Sequence, residues 1–94
     1  MPKSVPSPIS LIVTVYNRAA YLPLTLDRIL AQTQPNFELL IWDDGSTDNS
    51  LQIAQSYAFT DDRIRVISAP HQGISLSLKS AIALHLLSLP RLGR

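Results

Sequence analysis

Three short polar stretches in this chain hold side chains that can do chemistry. The richest is Asp43-Asp44-Gly45-Ser46-Thr47-Asp48-Asn49-Ser50. Ionised carboxylates only accept hydrogen bonds, and they accept them strongly from charged or polar donors. Acidic groups placed this way can meet a sugar, a base or a metal. Gly45 permits a sharp turn, and Ser46 or Thr47 can cap a following helix. The second stretch is Thr14-Val15-Tyr16-Asn17-Arg18 and the third is His71-Gln72-Gly73. Each of the three lies between an apolar run and a stretch of helical pattern.

Those flanking elements must position the polar groups. Ile9-Ser10-Leu11-Ile12-Val13-Thr14-Val15 and Phe37-Glu38-Leu39-Leu40-Ile41-Trp42 read as buried strands. Ile64-Arg65-Val66-Ile67 reads as a third, shorter strand, with Arg63 and Arg65 on an exposed face. Leu22, Leu26, Ile29 and Leu30 fall at helical spacing, with Pro23 tolerable in the first turn. Gln34-Pro35-Asn36 breaks that helix. A second helix is predicted to begin at Ser46-Thr47-Asp48, its inner face carrying Leu51, Ile53, Ala54, Tyr57 and Ala58. A third is predicted over Ile74 to Leu89. The order is β-α-β-α-β-α. Parallel strands joined by right-handed crossovers place the helices on the sheet faces. In open α/β sheets, ligands bind at the C-terminal strand edge, where two of the polar stretches begin.

Composition narrows the class. Ninety-four residues hold one domain with a modest core. Hydrophobic residues make up 46% and charged residues 16%, a globular rather than a disordered balance. A formal net charge of +1 argues against electrostatic nucleic-acid binding. No cysteine is present, which excludes disulfides and zinc–thiolate sites. No apolar run is long enough to span a bilayer. MPKSVPSP reads as a loose tail (residues 1–8) without a signal peptide's apolar stretch, so a cytoplasmic location is the default expectation.

The ordered set TxYN, AQT, FELLIWDDGSTDNS, RIRVI and QGIS, spread over residues 9 to about 76, resembles the start of family 2 glycosyltransferases. These are inverting nucleotide-sugar enzymes of GT-A fold. The resemblance implies a Rossmann-like three-layer α/β/α domain, with residues 9–94 as a partial nucleotide-sugar-binding unit and strands in the spatial order 3-2-1. It implies that Asp44 accepts the N–H of uracil or another base. It also implies that Thr14 bonds the base and that Tyr16 stacks on it. Asp43 either contacts the nucleotide or holds the turn backbone. Gly73 fits a close approach to the diphosphate or a tight helix entry. Asn17 reads as a turn residue, and Asp48 as a first-turn helix residue favoured by the helix dipole. Arg18, His71 and Lys79 read as solvated surface groups, with phosphate contact as the alternative for Arg18 and Lys79. His71 stands where the family usually has Asn.

A complete family member is expected to bind Mg²⁺ or Mn²⁺ through an Asp-x-Asp and to use a later acidic residue as base. No acidic residue follows Asp62. The ending HLLSLPRLGR does not resemble the family and reads as a truncation or a shifted reading frame. The chain is therefore expected to hold a nucleoside-diphosphate sugar, a UDP-sugar first, with no metal or catalytic base of its own. It is expected to be inactive alone and to associate or swap through the first strand's edge. The alternative is a non-catalytic α/β interaction or regulatory domain. A receiver is excluded because the first strand ends without an acidic pair. A dinucleotide-binding domain is excluded because no Gly-rich turn follows that strand.

Overall fold

A computed structural model describes residues 9–32 and 37–88. The expected tail at 1–8, the Gln34-Pro35-Asn36 break and the part of the divergent HLLSLPRLGR end from 89 onward lie outside the described residues, while 85–88 continue the third helix. Six elements follow one another: β1 (Ile9–Val15), α1 (Leu22–Gln32), β2 (Phe37–Asp44), α2 (Ser50–Thr60), β3 (Ile64–Ala69) and α3 (Ile74–Ser88). The strands form one parallel sheet in the order β1-β2-β3, the order expected from the motif succession. β2 is central, and β1 pairs Ile9 with Phe37 through Val15 with Asp43. The outer edge of β1 carries no strand among the described residues.

Alternation along the strands sorts side chains to two faces. Leu11, Val13, Val15, Phe37, Leu39, Ile41, Ile64 and Val66 face α1 and α2. There they meet Leu22, Leu26, Ile29 and Leu30 of α1, and Ile53, Ala54, Tyr57 and Ala58 of α2. This is the main core. Ile12, Leu40, Trp42, Ile67 and Ala69 face the other way, toward Ala81 and Leu84 of α3. β2 is buried along both faces, with only Glu38 exposed.

Three boundaries differ from the sequence reading, one of them at β3, which runs on to Ala69 instead of stopping at Ile67. β2 runs on through Asp43 and Asp44, because these pair with Ser68 and Ala69 of β3. α2 begins at Ser50 rather than at Ser46-Thr47-Asp48, because the Ser46 and Thr47 hydroxyls bond Asn17 of the neighbouring loop, while Asp48 bonds both that loop, at the Ala19 amide, and Ser50 at the start of the helix. In α3 the inward positions are Ser77 and Ala81, both fully buried, while Leu76, Leu78 and Ile82 are exposed. α3 is apolar nearly all round, so its pattern did not define a face. Small residues win the inward positions because they let the helix approach the sheet closely.

Candidate functional site

At the C-terminal ends of β1 and β2 lies an open pocket of about 320 Å³. It is lined by Thr14, Val15, Tyr16, Arg18, Asp44, His71 and Ile74. That volume is at the small end of ligand pockets. Two loops frame it, and side chain to backbone bonds lock them together.

Asn17 takes a left-handed backbone (φ 52°), a conformation Asn tolerates better than most residues. Its Oδ1 accepts the amides of Thr47 (2.7 Å) and Asp48 (3.3 Å). In return, the Asn17 and Arg18 amides donate to the hydroxyls of Ser46 (2.9 Å) and Ser50 (2.8 Å). Asp48 precedes the helix instead of lying in its first turn. It accepts the Ser50 amide (2.9 Å) and hydroxyl (2.6 Å), and the Ala19 amide at 3.1 Å. The Ser50 hydroxyl bond, with the Ser50 and Ala19 amides, holds the exposed Asp48 carboxyl below its ordinary value and outweighs its partial loss of water. The structural reading of Asn17 holds, and its partners are now explicit.

Asp43 and Asp44 are adjacent, so their side chains leave the strand on opposite faces. Asp43 is buried, and its Oδ2 accepts the Ser46 amide at 3.0 Å. It holds the turn and is not among the pocket-lining residues. Asp44 faces the pocket. Its Oδ1 accepts the Gln72 amide (2.7 Å) and its Oδ2 accepts the Gly73 amide (3.0 Å). His71 Nδ1 sits 2.9 Å from Oδ2 and 3.1 Å from the Asp44 carbonyl oxygen. Burial pushes the Asp44 carboxyl up, but the Ser77 hydroxyl, the Gln72 and Gly73 amides and His71 outweigh it. The group therefore stays below its ordinary value and ionised.

Gly45 and Gly73 both take positive φ, 72° and 94°. A Cβ on Gly45 would stand 2.6 Å from the His71 nitrogen, so only glycine lets the two loops touch. Gly73 has open space around it and serves as the entry to α3, outside the pocket lining.

Tyr16 lies at the pocket rim with its ring stacked on His71, centroids 4.2 Å apart and planes 27° apart. Arg18 turns its Nη1 back to the carbonyls of Tyr16 (3.1 Å) and Asn17 (3.2 Å). Lys79 is exposed on α3, away from the pocket lining. The structure thus brings Thr14, Tyr16 and Asp44 together and leaves Asp43 and Gly73 in supporting positions. It adds Arg18, His71 and Ile74 to the pocket. An isolated loop His carries no periodic signal. What marked it was its place where the family usually has Asn, and the residue read as a solvated surface group instead stacks on Tyr16 and lines the pocket.

The chemistry on offer is recognition of a flat, polar, partly apolar group. An ionised acceptor, a hydroxyl, an aromatic ring and a cation converge at the edge of a parallel sheet. This places the chain among open α/β proteins that bind ligands outside the carboxyl ends of their strands. The profile described as Glycosyl transferase family 2 matches residues 10–84. The chain belongs to that family.

Among its relatives, glycosyltransferase GlyG of Streptococcus pneumoniae is 39% identical over 72 residues, 77% of this chain and 24% of that protein. Chondroitin synthase of Pasteurella multocida is 33% identical over 75 residues, 80% of this chain and 8% of that protein. A mannosyltransferase of Pyrobaculum calidifontis, solved in complex with GDP-mannose and Mn²⁺, superposes with a TM-score of 0.72 at 23% identity. That match covers 89% of this chain and 28% of the mannosyltransferase, and it shows that the two share a fold. The chain spans less than a third of the length of each of these proteins.

Among the described residues, no group of three or more His, Cys, Asp or Glu could hold a metal ion. Asp43, Asp44 and Asp48 are each engaged by backbone amides. Among the described residues, no helix is long and apolar enough to cross a membrane.

Proposed function

We propose that this chain supplies the nucleoside-binding part of a family 2 glycosyltransferase whose donor is a nucleoside-diphosphate sugar, a UDP-sugar first. The observation that carries the reading is the convergence of Thr14, Tyr16 and Asp44, from two strand ends, on one pocket. Asp44 accepts a base N–H, Thr14 bonds the base, and the Tyr16 ring offers a stacking surface. The nucleotide sugar held by the mannosyltransferase neighbour supports a donor of this class.

In the parent reaction an acceptor hydroxyl attacks the anomeric carbon. The bond from that carbon to the diphosphate oxygen breaks with inversion, and the nucleoside diphosphate leaves. The described residues take the nucleoside end of this arrangement. No leaving-group or proton step is assigned to them. Stabilisation of the leaving charge is usually the largest catalytic term, so the 94-residue chain by itself is expected not to transfer sugar. The open β1 edge is expected to promote association in solution.

Calorimetric or NMR titration of the chain with UDP tests the reading. Binding is expected to be weak, independent of added Mg²⁺, and centred on Thr14, Tyr16 and Asp44. Asp44→Ala is expected to weaken it by about 1–3 kcal/mol, the scale for losing a charged hydrogen-bond partner. Equal binding by a folded Asp44→Ala variant, or shifts remote from all three residues, would sink the assignment.

A further inference from the structure

We propose that His71 occupies the base subsite itself, so that a nucleotide enters only by displacing the His71 ring. The proposal rests on the nucleotide-binding reading above and adds an internal competitor to it.

The argument begins with the two contacts of the imidazole. Its ring lies stacked on Tyr16, with centroids 4.2 Å apart. Its Nδ1 faces two acceptors, Asp44 Oδ2 at 2.9 Å and the Asp44 carbonyl at 3.1 Å. Neither acceptor can donate, since the Asp44 carboxyl is ionised, so Nδ1 carries the proton. His71 therefore offers the pocket a flat ring against Tyr16 and a ring N–H donated to Asp44. A uracil would offer the same pair of contacts, one π face and one imide N–H. Tyr16 and Asp44 cannot make both sets at once through the same ring face and the same lone pair.

The surroundings of His71 fit a side chain that moves on a fixed backbone. The backbone is pinned on both sides. Asp44 holds the Gln72 and Gly73 amides, and Gly45 packs directly against the His71 nitrogen. The Gln72 side chain is tied in turn to the Ser80 hydroxyl at 3.1 Å. The His71 side chain, by contrast, is 53% exposed, while the Asp44 side chain beneath it is 3% exposed. Swinging the imidazole outward opens no cavity in the core and leaves Asp44 with its two amide partners. The loop and the Asp44 carboxylate then stay in place for the incoming base.

A site occupied in this way binds its ligand with an affinity reduced by the fraction of molecules that have it open. His71→Ala removes the ring and leaves the pinned backbone unchanged. It is therefore expected to bind UDP about 3- to 30-fold more tightly than the native chain, the range for a site open in roughly a third to a thirtieth of molecules. His71→Phe keeps the stack and loses the N–H, and its affinity is expected to fall between the two.

A second readout needs no variant. In the native chain, nuclear Overhauser contacts between the Tyr16 and His71 rings are expected to vanish as UDP saturates the site. Two results overturn the proposal while leaving the nucleotide reading intact. One is His71→Ala binding UDP equally or more weakly. The other is a Tyr16–His71 contact that survives saturation. If neither the native chain nor His71→Ala binds UDP or GDP, the nucleotide reading itself fails and the competitor fails with it.

Discussion

The two faces of the sheet are built on different terms. Toward α1 and α2, the strands bury Val15, Phe37, Leu39, Ile41 and Ile64 against Leu22, Leu26 and Ala54. Toward α3, the buried apolar set shrinks to Leu40, Trp42 and Ala81. The difference is not hydrophobicity, because α3 is the more apolar helix. It lies in how many large helix side chains face the sheet: Leu22, Leu26, Ile29, Leu30, Ile53 and Tyr57 on one side, and on the other Leu84 beside the small Ser77 and Ala81. The thick face has enough buried apolar surface to hold its helices. The thin face carries the pocket, and it relies on polar ties, above all the Asp44 carboxylate that anchors the loop leading into α3. Scaffold and site are thus divided between two faces of one sheet, and the central strand contributes to both.

Truncating a buried side chain on the thick face is the hardest test of this contrast. Leu26→Ala is expected to cost about 2–5 kcal/mol in urea unfolding, because Leu26 is wholly buried. Leu78→Ala on α3 is expected to stay within about 0.5 kcal/mol, its side chain being 41% exposed. Equal losses for the pair would erase the distinction.

Gly45→Ala probes the thin face through its loops. The residue must keep φ at 72° and admit the His71 backbone, and alanine does neither comfortably. A loss of about 1–3 kcal/mol is expected. Chemical shifts are expected to move at 71–73 and in the first turn of α3, and to stay still in α1. Changes centred on α1 would mean that the two faces are not independent.

Asp61 supplies a milder control, since it lies between α2 and β3 and outside the pocket. Its carboxyl is held down to about 2, chiefly by hydrogen bonds from the Arg63 guanidinium and amide. A depressed carboxyl stabilises the fold above its ordinary value and stops doing so as pH falls through the folded one. The native chain should therefore exceed Asp61→Asn by no more than about 1 kcal/mol at neutral pH. The gap should close between pH 3.8 and about 2, and UDP binding should not change. A gap that persists below that window would assign the effect to packing of Arg63 on Phe37 instead.

Much of this organisation was legible in the amino acids. The β-α-β-α-β-α order followed from long apolar runs closed by turn residues, and β1 begins and ends where its run does. The Thr14, Tyr16 and Asp44 cluster followed from motif and strand polarity together. Signals without a period were not legible. His71 is one residue in a loop, and its partners are Asp44, 27 positions away, and Tyr16, just past the end of β1. The start of α2 was misjudged because Ser46, Thr47 and Asp48 are good capping residues by type. The Ser46 and Thr47 hydroxyls and one Asp48 oxygen bond the β1–α1 loop, a tertiary choice that local propensity cannot see, and only the other Asp48 oxygen meets the start of the helix at Ser50. The inward face of α3 was hidden for the opposite reason, since too many positions were apolar for any one to stand out.

The strand order β1-β2-β3 also governs how the chain reaches this state. Among the described residues no two strands are joined by a hairpin, so none of their pairings is local. Before Ile9 can meet Phe37, or Leu39 can meet Ile64, an entire intervening helix must be accommodated. Loop-closure entropy is lost before the first ladder forms, which slows folding relative to a helical bundle of equal length. β2 enters both ladders, so its arrival is the event on which both wait. Until then Leu39, Leu40, Ile41 and Trp42 stand uncovered in one unbroken stretch, and the interval before β2 docks is when this chain is most exposed to aggregation.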